Sequence, residues 1–258
     1  RRADDGSNHA EPPAEQFESN APGAWRRDPI SKVPVALGGL WGTLVETFVL
    51  ESANQFPCRP APAMSSIEYA LEYDEVIALG GDNDTTPTVR SLWQTIEGVL
   101  FAYDGRPSLC APPRLYNQLT YAIANQERLD YVQLARLLGT MNVGLADAGI
   151  ALWRSKYDLR RARPITAIRA GAQDGNDATI GYPQWRPLGA PASNGNGPNF
   201  TPPFPALPSG HAGFGEVWAD TLRQMLGRDN ISFDFVSDEF DGTTLDNQGK
   251  PRERRTAH

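Results

Sequence analysis

The sequence predicts a mainly α-helical domain with long functional loops. Apolar residues recur at spacings of three and four over several stretches, no convincing alternating strand run is present, and no internal repeat is visible. The longest periodic stretch covers residues 128–163, where Leu134, Leu137, Leu138, Met141, Leu145, Ala148, Leu152 and Trp153 mark a buried or half-buried helix.

In chain order, residues 1–33 are polar and rich in Pro, Asn and charge, and read as an arm or surface wrap rather than core. Residues 34–258 form the helical domain. A helix begins at the capping box Ser65-Ser66-Ile67-Glu68 and ends at Gly80-Gly81. Residues 82–87 make a loop. A second helix covers 88–103, with Val89, Leu92, Trp93, Ile96, Val99 and Leu100 at helical spacing, and Pro112-Pro113 precedes a third over 114–126. After the long helix, residues 171–201 are loop-like, 211–226 are helical, and 229–258 are polar and weakly patterned. A structureless loop this long inside a domain marks function or disorder.

Composition narrows the function classes. The chain has 258 residues and a net charge of −7, which argues against a general nucleic-acid or anionic-membrane surface. Cys58 and Cys110 lack metal-ligand spacing, and a bridge between them stays open. Three histidines, His9, His211 and His258, argue against a multi-histidine metal site. The most apolar stretch, residues 35–50, contains Glu46 and is too short to span a bilayer. The chain starts at Arg1, shows no signal peptide, and reads as soluble, whether secreted or cytoplasmic.

Two stretches carry the chemistry. In Phe204-Pro205-Ala206-Leu207-Pro208-Ser209-Gly210-His211-Ala212 the prolines fix an extended approach to a helix start. Ser209 and Gly210 lie where helix N–H groups lack partners and the macrodipole favours an anion, and His211 follows as a proton donor or acceptor. In Lys156-Tyr157-Asp158-Leu159-Arg160-Arg161-Ala162-Arg163-Pro164 seven residues make nearly two turns, which sets Lys156 and Arg163 on one helix face about 10 Å apart. Arg offers a planar fork to a tetrahedral oxyanion, whereas Lys offers a point charge. Arg160, Arg161 and Arg169 add charge nearby. Taken singly, the serine also fits a plain N-cap and the cations a solvated helix face.

Together, Lys-x6-Arg-Pro followed by Pro-Ser-Gly-His resembles the vanadium haloperoxidase and acid phosphatase superfamily. Further stretches resemble its haloperoxidase branch, particularly the chloroperoxidases. They are Trp93-Gln94-Thr95, Ala102-Tyr103-Asp104-Gly105, Pro112-Pro113-Arg114-Leu115-Tyr116-Asn117-Gln118, Asp147-Ala148-Gly149-Ile150-Ala151-Leu152-Trp153, Leu188-Gly189-Ala190-Pro191-Ala192 and Pro202-Pro203-Phe204-Pro205. The resemblance spans roughly residues 65–245. It implies an all-α helical bundle of the vanadium haloperoxidase and type 2 acid phosphatase kind.

The resemblance also implies a cofactor and roles. Vanadate would be held by Lys156, Arg163, Ser209 and Gly210, with His211 as acid–base group and Lys156 assisting catalysis. Phe204 and Trp153 would wall a halide pocket, and Asp104 would pair with an arginine of the vanadate site. Hydrogen peroxide, chloride or bromide, and a small organic substrate are the implied partners. A homo-oligomer is expected; nucleic acid and membrane are not.

The family's third motif, Ser-Arg-x5-His, supplies the histidine that bonds vanadium. Arg252 and His258 have its spacing, but Pro251 precedes the arginine and Glu253-Arg254-Arg255 is too charged for a buried helix. The motif is therefore expected downstream of His258 or on a second polypeptide. The alternatives carried are an acid phosphatase-like phosphoester hydrolase and a non-catalytic helical subunit of a split enzyme.

Overall fold

A computed structural model describes residues 4–258. The helices are α1 (Trp41–Leu44), α2 (Ile67–Gly80), α3 (Leu92–Leu100), α4 (Pro112–Gln126), α5 (Tyr131–Leu159), α6 (Pro164–Arg169) and α7 (Gly210–Leu226), with three short 3-10 turns. Among the described residues no strand extends beyond isolated bridge pairs. The molecule is all-α, as the sequence predicts. No described helix is long and apolar enough to cross a membrane.

Local chemistry sets the helix limits. Asp130 caps α5 by accepting from Val132 and Gln133 N–H at 2.9 and 2.8 Å, and Gln133 returns the contact to Asp130 N–H. Pro112 opens α4 at a position whose N–H has no helical partner. Ser209 caps α7 through Ala212 N–H, and Gly227 ends it in the left-handed region at φ 72°.

Helices α4, α5 and α7 pack on one another around Leu115, Leu119, Ile123, Leu137, Met141, Leu145, Phe214 and Leu222. A smaller cluster of Tyr69, Tyr73, Ile165, Ile168 and Trp185 joins α2 to α6. Helix α1 lies against α5 so closely that a Cβ on Gly42 would sit 2.3 Å from Arg154 Cα.

Three sequence expectations need correction. Residues 128–163 are not one helix. α5 stops at Leu159, Arg160 turns left-handed at φ 45°, and Arg163 is the N-cap of α6. Lys156 and Arg163 therefore do not share a helix face. Val89, Leu92 and Trp93 are exposed rather than packed, and α3 starts only at Leu92 behind a Ser91 capping box.

The third concerns the polar ends. In the arm, Trp25 is 1% exposed and belongs to the main core. Its N–H donates to Arg160 C=O at 2.7 Å, and Gly23 C=O accepts from Ala162 N–H at 2.8 Å. In the tail, Phe235 and Phe240 are buried in the same core.

Candidate active site

Two cavities dominate the surface. The larger, about 920 Å³, is an apolar groove along α5 and α7 whose charged lining residue is Asp147. Asp147 already accepts from the N–H groups of Phe48, Val49 and Leu50 at 2.6, 2.8 and 2.9 Å. It pins residues 48–50 to α5 and offers no chemistry. The second cavity, about 610 Å³, is lined by Asp104, Trp153, Lys156, Arg163, Phe204, Ser209, Gly210 and His211 together. The eight residues to which the resemblance gives a role all line this one space.

Arg163 reaches the cavity from the N-cap of α6, where Pro164 forbids its incorporation into a preceding helix. Its Nε donates to Phe204 C=O at 2.7 Å, while Nη2 is buried with no hydrogen-bond partner among the described residues. A buried guanidinium N–H without an acceptor is costly, and an anion in the cavity would relieve it. Burial pulls its pKa down to about 10, with Asp104 and then Tyr157 acting in the opposite sense. Arg163 remains a cation at neutral pH.

Lys156 comes from the last turn of α5 and is 1% exposed. Its ammonium donates to the carbonyls of Pro205, Ala206 and Pro208 at 3.0, 3.3 and 2.5 Å. All three donors are thus engaged by the segment leading into α7, so Lys156 fixes that segment as well as charging the cavity. Burial first, and Arg163 second, pull its pKa down to about 7.

Phe204 stands between the two cations. Its ring centroid is 4.9 Å from Lys156 Nζ, 4.5 Å from Arg163 Cζ and 5.0 Å from the Trp153 ring. Its electron-rich face tempers the like-charge repulsion. Trp153 is oriented by donation from Nε1 to Leu37 C=O at 2.9 Å. Gly38 then touches the indole so closely that a Cβ there would sit 2.1 Å from Trp153 Cδ1.

At the start of α7, Ser209 Oγ accepts the capping N–H, which leaves its hydroxyl proton free for a guest. His211 Nε2 lies 2.9 Å from Ala102 C=O. A carbonyl only accepts, so Nε2 carries the hydrogen and Nδ1 is the nitrogen left to exchange a proton. Tyr116 Oη, donating to His211 C=O at 2.8 Å, holds the helix start from α4. Burial raises the Asp104 pKa, against the opposing pull of His211 and then Arg163.

Elsewhere, Arg252 and His258 do not line the cavity. Arg252 pairs with buried Glu239 and Ser193, and His258 pairs with Asp234 at the surface. No group of three or more potential metal ligands exists among the described residues. Cys58 and Cys110 are free thiols. Arg160 and Arg161 stack over Phe17 and Tyr69, and Arg169 donates to Trp185 C=O. The roles of the Leu37 and Ala102 carbonyls, the close approach at Gly38 and the partner of the Tyr116 hydroxyl went unseen in the sequence, because each depends on a contact between residues far apart in the chain. The Pro112-Pro113 pair, noticed as a helix start, also lines the cavity.

Residues 136–258 match a family model described as the VCPO second helical-bundle domain. Vanadium chloroperoxidase of Curvularia inaequalis is 36% identical over 231 residues, covering 80% of this chain and 37% of that protein. The chain thus spans little more than a third of that relative's length. The crystal structure of a bacterial vanadium-dependent iodoperoxidase matches with a TM-score of 0.61 at 22% identity, covering 94% of this chain and 52% of the other, and so shares the fold. In sequence over 231 residues, and in fold, the chain is thus similar to the vanadium haloperoxidases.

Proposed function

We propose that the cavity binds vanadate and that the protein uses it with hydrogen peroxide to oxidise chloride or bromide. The net change is halide, peroxide and a proton giving hypohalous acid and water. The observation that carries this reading is the buried, unpartnered Nη2 of Arg163 in a cavity that also holds Lys156, Ser209 and the α7 N-terminus. This donor set suits a tetrahedral oxyanion. When bound, vanadate would supply the Lewis acidity that polarises peroxide toward halide attack.

The chain's own residues do the rest. Arg163 Nη2 and the first amide of α7 hold the anion, and Ser209 donates its hydroxyl proton to it. Lys156 places positive charge behind the anion while anchoring the 205–208 segment. His211 Nδ1 takes a proton from the incoming peroxide and returns it to the leaving oxygen. Asp104 keeps the His211 and Arg163 charges balanced, and Trp153 with Phe204 gives halide a dry, weakly solvating wall.

The test is halogenation of monochlorodimedone by vanadate-loaded protein expressed from its whole gene, with bromide and then chloride. The expected result is bleaching that requires vanadate, peroxide and halide together. Hydrolysis of p-nitrophenyl phosphate without peroxide, and no bleaching, would overturn the proposal.

A further inference from the structure

We infer that the same cavity holds a neutral, apolar organic molecule beside the anion, an inference that rests on the anion site proposed above. Volume is the first argument. At roughly 30 Å³ per water-sized group, a four-oxygen anion fills on the order of 120 Å³. The cavity measures about 610 Å³, so most of it lies beyond the anion's reach. That volume is in the range of pockets that enclose small organic ligands.

The distribution of charge is the second argument. Among the described lining residues the charge-bearing side chains are Asp104, Lys156, Arg163 and His211. Lys156 and Arg163 meet on the Phe204 ring, and Asp104 interacts with both Arg163 and His211. Charge therefore gathers at one pole. The remaining wall is supplied by side chains such as Leu37, Trp41, Phe101, Pro112, Pro113 and Phe200. Tyr103, the phenol in that wall, already donates to Gln118 and accepts from Asp238 N–H at 2.8 Å each. Little is left to hydrogen-bond a polar guest, so the recognisable class is an aromatic or other hydrocarbon framework without charge.

Preorganisation is the third. Seven of the lining residues are prolines, which hold the wall with little entropy to lose on binding. The entrance is marked by Phe101, an apolar patch 42% exposed just past the end of α3. An apolar molecule would meet this patch first and slide inward past it.

The probe is N-phenyl-1-naphthylamine, a neutral three-ring fluorophore, titrated into the intact chain without vanadate. Saturable binding is expected, and saturating sulfate should leave its affinity within about twofold, since the two guests occupy different ends. Phe101→Asp should weaken the probe at least tenfold. Gly98→Leu, on an exposed helical site facing the cavity with nothing within 4 Å of its Cβ, should do the same by filling space. Phe56→Asp, in the separate groove along α5, should change nothing. Probe displacement by sulfate, sensitivity to Phe56→Asp, or indifference to both cavity variants would overturn the inference. A vanadate titration without the probe reads the anion site alone, so failure there leaves the apolar chamber standing and condemns only the functional proposal.

Discussion

Lys156 shows what a motif position cannot reveal about itself. The Lys-x6-Arg spacing marks it as a cation for an anion, yet its ammonium is shared among the carbonyls of residues 205, 206 and 208. A pKa near 7 makes its charge conditional. A bound anion favours the ammonium, so binding takes up a proton at and above pH 7, and affinity must fall as pH rises through that value. Sulfate keeps its charge throughout this range and is a clean probe. Its calorimetric affinity should drop by up to about tenfold per pH unit above 7. In Lys156→Met that slope should flatten, because the group that takes up the proton is gone; equal slopes would contradict the assignment. Asp147 is the second residue with a sharp expectation. Asp147→Ala strands three N–H groups of residues 48–50 and should lower stability by about 3 kcal/mol in urea unfolding. At this scale the sequence was informative where chemistry is written in side chains, as at His211 or Arg163. It was silent where a backbone atom acts, as at Ala102 C=O.

For the helices, periodicity and caps located α2, α4 and α7 to within two residues, whereas α3 is shorter at both ends than the expected 88–103. The larger error lay at the α5–α6 junction. Arg160 adopts φ 45° without being Gly or Asn, so no local signal announces the break. Tertiary contacts impose it: the guanidinium lies 5.4 Å from the Phe17 ring centroid, and the Arg160 carbonyl takes the Trp25 N–H. Two glycines test how the helices meet. A Cβ on Gly139 has nothing within 4 Å, so Gly139→Ala, inside α5, should stabilise the fold by about 0.5–1 kcal/mol through helix propensity. Gly42→Ala drives a methyl into the α5 backbone at Arg154 and should destabilise it by about 1–3 kcal/mol. The two urea midpoints should move in opposite directions.

Across the whole molecule, the all-α class was legible, whereas the burial of both polar ends was not. Trp25, Phe235 and Phe240 stand among Pro, Asp and Asn with no repeat, so only long-range packing makes them core. Trp25→Ala should therefore cost about 3–5 kcal/mol of unfolding free energy. It should also weaken sulfate binding, a readout that a purely global loss of stability would not move in the still-folded fraction. The reason is that the buried indole holds in place the backbone bonds between residues 25 and 160 and between residues 162 and 23.

Those two bonds stitch the amino end to the peptide immediately ahead of Arg163. A shift of residues 23–25 would be passed to Arg163, because so short a stretch of chain lies between the two bonds and the guanidinium. Residues 23–25 thus act as a drawstring on guest capture, and whatever loosens their packing should slacken it.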